Sequence, residues 1–98
     1  MTTAVLWALM NLAIVADWGQ TRYIAQHPQE YYEAFNPVLG AHPSVSKVDA
    51  WFIGALAVNN GVMVVLPKNY RPWYAGAVTA VETHFVVRNN SLGIRIRF

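Results

Sequence analysis

Apolar residues fall along this chain in three blocks, each with helical rather than strand-like length, separated by polar connectors. The first block runs from Met1 to Ala16, is interrupted after Thr3 by Asn11 alone, and is followed by Asp17, Trp18 and Gly19. Sixteen residues at 1.5 Å each reach about 24 Å, so crossing a hydrocarbon layer of about 30 Å requires the helix to continue through Trp18 towards Tyr23. In the second block Lys47 and Lys68 bracket the twenty residues from Val48 to Pro67, the length of one crossing helix. Ser46-Lys47-Val48-Asp49 reads as a capping box at its start, and Pro67 cannot continue the ladder at its end. The third block, Trp73 to Val87, carries Glu82 and His84 and needs neighbours. Thr79, Glu82, Thr83 and Val86 lie at i, i+3, i+4 and i+7, which places one polar face inward and leaves Val78, Val81 and Phe85 for lipid or partner helices.

These blocks predict an all-α membrane protein forming one domain over 1–98, with transmembrane helices near 1–23, 47–67 and 73–88. In the connector, 27–46, His27-Pro28 ends the first helix because a residue before proline is steered out of the α region. Gln29 to Phe35 then reads as a short amphipathic helix lying in the headgroup layer, with Tyr31, Tyr32 and Phe35 on one side and Gln29, Glu30 and Glu33 on the other. Asn36-Pro37, Gly40 and His42-Pro43 mark turns. The tail, 89–98, alternates Ile94, Ile96 and Phe98 with Arg95 and Arg97, a strand-like or interfacial pattern.

Composition agrees with a lipid environment: 55% of the residues are hydrophobic and 12% charged, a thin polar coat for a water-soluble domain of 98 residues. Trp51 near one end of the second block and Tyr70, Trp73 and Tyr74 near the other suit an aromatic belt. A net charge of +2 with scattered basic residues argues against nucleic acid as a partner. The chain has no Cys, which excludes a disulfide framework and a thiolate nucleophile. Thr2, Thr3 and Ala4 do not supply the basic start of a cleaved signal peptide. With three spans, Arg22, Lys47, Arg88, Arg95 and Arg97 share one side against the N-terminal amine, Lys68 and Arg71. By the positive-inside rule this puts connector and C-terminus in the cytoplasm of a bacterial inner membrane, and the N-terminus outside.

The residues that could carry chemistry are polar groups within the apolar blocks: Asp17, Thr21, Asn59, Asn60, Thr79, Glu82, Thr83 and His84. Asp17, Gln20 and Thr21, at i, i+3 and i+4 on one helical face, could bind an ion or a headgroup; the plainer reading pairs Asp17 with Arg22 or Lys47. Asn59 and Asn60 could line a polar path or hydrogen-bond to another helix as packing glue. Glu82 and His84 are open to a proton relay, an ion path or a metal, or to simple pairing near Arg88. No H-E-x-x-H pair, P-loop, nucleophile elbow or G-x-G-x-x-G is present, so no catalytic, cofactor-binding or metal-ligating residue is assigned. Gly54, Gly61, Gly76 and Ala80 read as sites of close helix approach.

The pattern of Asp17 and Thr21, then Asn36-Pro37-Val38-Leu39-Gly40, then His42-Pro43-Ser44 ahead of an apolar helix, resembles small polytopic inner-membrane proteins of bacteria and phages whose function is not established. In size and number of apolar blocks the chain is also similar to phage holins. The resemblance implies a helical inner-membrane protein and no reaction. The expected function is therefore non-catalytic. The chain would associate through its helices with itself or with a larger membrane-protein complex, as an accessory or regulatory subunit or as a holin-like pore former. The alternative is an intramembrane metal- or proton-dependent enzyme or carrier using Asp17, His42, Glu82 and His84.

Overall fold

The computed structural model describes residues 2–33 and 36–98, and among these it holds three α-helices: α1 (Thr3–Gln26), α2 (Val45–Val65) and α3 (Arg71–Ser91). Local chemistry sets their ends. At the start of α1 the Thr2 side chain accepts a hydrogen bond from the Val5 amide, and the helix stops at His27, the residue before Pro28. The N-cap of α2 is Ser44, whose hydroxyl accepts from the Lys47 amide at 3.1 Å. The capping box expected at Ser46 is therefore shifted by two residues, because Ser44 follows Pro43 in extended backbone while Ser46 already lies inside the helix. α2 ends before Pro67 as expected, and two of its last carbonyls are taken up by Arg71, whose guanidinium donates to Val64 O and Leu66 O at 3.0 Å each. Pro72 stands in the first turn of α3, where a missing N–H costs nothing. α3 continues past Arg88 to Ser91, and Gly93 turns the chain at φ +86°.

The helices run up, down and up in a body of 45 × 24 × 21 Å. α1 lies between the other two, each of which packs along it, while α2 and α3 meet each other only sparingly. Met10, Ile14, Leu39, Val48, Phe52, Met63 and Ala75 form the core, with Trp7, Trp18 and Tyr74 packed around it. Trp18 stacks on Phe52 with ring centroids 6.3 Å apart.

Three expectations are corrected. Of the three spans, only α2 is long and apolar enough to cross a membrane. α1 carries Asp17, Gln20, Thr21 and Arg22 in its second half, and α3 carries Glu82, His84 and Arg88 together with Asn89 and Asn90; this polarity makes both less apolar than a crossing helix needs. The interfacial helix over Gln29 to Phe35 does not form within the described residues: 28–30 is a single turn and 31–33 is irregular, with Phe35 outside them. A seven-residue helix pays for nucleation with few internal hydrogen bonds, and the chain instead bonds Glu33 N–H to Ala41 O at 2.8 Å and buries Leu39, 3% exposed, in the core. Gly54, Gly61 and Gly76 make no close approach, since a Cβ on any of them would meet nothing within 4 Å. The close approach falls at Gly19, where an added Cβ would collide with the Ile96 and Phe98 side chains. There the tail folds back along α1, with Arg97 N–H donating to Gly19 O at 3.1 Å and Phe98 edge-on to Trp18.

Candidate functional site

Where α2 and α3 diverge over α1, they leave a cavity of about 470 Å³. Its lining includes Asp17 and Thr21 from α1, Trp51, Phe52, Ala55 and Asn59 from α2, Glu82, Phe85 and Asn89 from α3, and Glu33 and Leu39 from the connector. The helical register explains the composition. Asp17 and Thr21 are one turn apart on one face of α1, and Glu82, Phe85 and Asn89 repeat at three and four residues along α3.

The Asp17 and Glu82 carboxyls share a hydrogen bond, which requires one of the two to hold a proton. Burial pushes the Asp17 carboxyl well above the usual carboxylate range, and its hydrogen bond to Glu82 and the repulsion from that second charge push the same way; the Thr21 hydroxyl, which donates to Asp17 Oδ1 at 3.2 Å, opposes them. Glu82 Oε2 is withdrawn from solvent and accepts no hydrogen bond. One turn further along α1, Gln20 donates to Val86 O at 3.0 Å and accepts from the buried Asn89 amide at 3.2 Å, tying α1 to α3.

The other polar candidates are committed elsewhere. Asn60 accepts from Trp7 Nε1 at 2.7 Å and from Asn11 at 3.0 Å, and donates to Asn11 Oδ1 at 2.7 Å, joining α2 to α1. Asn59 accepts from Tyr74 Oη at 2.6 Å, joining α2 to α3. Thr79 donates to Ala75 O in its own helix. Thr83 and His84 are exposed, as is His42 in the connector, so the four residues of the enzyme or carrier reading are not assembled: Asp17 and Glu82 meet, and both His stand apart. Among the described residues no group of three or more His, Asp or Glu is arranged to hold a metal ion.

Arg22 pairs with Asp49 rather than with Asp17, at 2.6 Å, because i to i+5 on α1 separates Asp17 and Arg22 by some 140° around the helix. Trp18 Nε1 donates to the same carboxylate at 2.8 Å. Gln20, which the spacing places on one face with Asp17 and Thr21, is committed to α3 rather than to an ion or headgroup, and Asn89 has no mark in the sequence; only the packing of α3 on α1 buries the two together. Comparison of the chain with protein-family models, with curated proteins and with solved structures finds no match.

Proposed function

We propose that this chain acts at a membrane as a small non-catalytic protein that works by helix association, with α2 as the element that meets lipid or the helices of a larger complex. The observation that carries the reading is the open side of α2. Only 17% of its most apolar stretch of eighteen residues is buried, and Ile53, Val58, Val64 and Val65 are 58% to 79% exposed. An apolar face of this length left to water is costly, and such faces mark interaction surfaces.

Between the two forms of this function, an accessory subunit fits better than a pore former. A pore lining needs polar groups turned towards a channel, and Asn59, Asn60 and Thr79 spend theirs on Tyr74, Trp7, Asn11 and Ala75 within one chain. The test is fractionation of cells expressing the chain, followed by measurement of the intact assembly's mass in mild detergent. The protein is expected in the membrane pellet after alkaline wash, in a hetero-complex, with the membrane potential unchanged on overexpression. Recovery of a soluble monomer without detergent would overturn the membrane reading, and depolarisation with a homo-oligomer would overturn the subunit reading.

A further inference from the structure

We propose that the cavity between α2 and α3 is a binding site for a small organic ammonium, a molecule with one protonated amine on a compact apolar body. The inference concerns the interior of a single chain and stands apart from where the chain resides. A volume of about 470 Å³ lies in the range of small-molecule sites, which join mostly apolar walls to a few placed polar groups. Here the apolar walls include Trp51, Phe52 and Phe85, and the ionisable groups are all carboxyls, those of Asp17, Glu82 and Glu33. No Lys, Arg or His stands among the lining residues described, so the electrostatic preference is for a cation.

The second, independent observation is Glu82 Oε2. A buried acceptor with no donor is costly, and Glu82 Oε2 is open to one. An ammonium supplies that donor together with the complementary charge, and aromatic faces receive both the cation and its apolar body. Hard divalent cations suit the site less well, because they require six or more oxygen ligands and no three acidic or His side chains are arranged to share an ion among the described residues.

The experiment titrates the full chain, in detergent at pH 7, with benzylammonium and with its neutral isostere benzyl alcohol, followed by calorimetry. Saturable ammonium binding is expected, with the alcohol at least about tenfold weaker, the discrimination that a charged hydrogen bond provides. Glu82→Gln should lower ammonium affinity at least about tenfold and leave the alcohol unchanged, whereas Glu30→Gln, on the exposed part of the connector, should change neither. Ala55→Phe, which fills the cavity, should weaken both ligands and carries the test if Glu82→Gln does not fold. Equal binding of alcohol and ammonium, undiminished affinity in Glu82→Gln or in Ala55→Phe, or no saturable binding up to about 10 mM would each overturn the proposal.

Discussion

α1 and α2 are both long apolar helices, yet they use their side chains in opposite ways. α1 runs through the middle of the molecule and buries Gln20 and Thr21, 2% and 1% exposed, while its Leu12 is 65% exposed. α2 is covered along one side only: it turns Asn59 and Asn60 towards its neighbours and leaves Val58 and Val65, 65% and 79% exposed, on the outside. Both helices put polar groups inward and both turn apolar residues outward, Val5, Leu9, Leu12 and Val15 in α1, but only α2 stays apolar enough along its length to cross a membrane. Apolar content therefore does not distinguish the helix that packs between two neighbours from the helix that has cover on one side only. Neighbours on both sides make that distinction, because they satisfy the polar groups that would otherwise forbid an apolar environment.

The sharpest way to break the comparison is to place a charge on each outer face. Val58→Asp in α2 should cost about 2.5–3.5 kcal/mol of membrane insertion, the penalty for Asp at the centre of a crossing helix, whereas Leu12→Asp in α1 should stay within about 0.5 kcal/mol if α1 faces water there. The membrane-bound fraction of each variant reads this directly, and equal losses for the two would erase the distinction. Asn60→Ala should cost about 2 kcal/mol in detergent-stability measurements, since it strands the Trp7 indole N–H and the Asn11 amide together. A loss near zero would mean that water replaces Asn60 and that α2 is held by its apolar contacts alone.

The effect expected of Asp17 differs in kind and appears as a pH dependence. Its carboxyl is pushed up to about 9 in the folded chain from an ordinary value of 3.8, so between these limits the native state binds more proton than the unfolded state. Stability then falls as pH rises, by at most about 1.4 kcal/mol per pH unit and by less where water reaches this half-buried side chain. Below about pH 4 both states are protonated and the penalty is absent. Asp17→Asn should flatten the slope between pH 5 and pH 8 and leave the protein more stable at the upper end, as read by denaturant unfolding at the two values. An unchanged slope in the variant would remove Asp17 from the role given to it.

Much of the fold was legible because the signals are local. Three helices follow from three apolar blocks, and His27-Pro28, Pro67 and the turn at Gly40 act through the backbone of the residues beside them. The site was legible only in part. Asp17 and Glu82 stand out as ionisable residues in apolar surroundings, and the structure brings them together. Their meeting was not readable, because the same residues could equally pair with Arg22, Lys47 or Arg88, and spacing along one helix says nothing of the neighbour's rotation. Gly19 was passed over for a similar reason, since its small size serves a tail seventy-odd residues away.

The sequence by itself determined that α1 stops before Pro28, that α2 stops before Pro67 and that α2 is apolar enough to cross a membrane, because proline geometry and hydropathy are properties of contiguous residues. Tertiary structure alone decided that α1 is the central helix, that Arg22 takes Asp49, and that two carboxyls and a set of aromatic rings enclose one cavity. Those outcomes depend on how helices rotate and pack against one another, and that rotation is fixed by contacts between residues far apart in the chain.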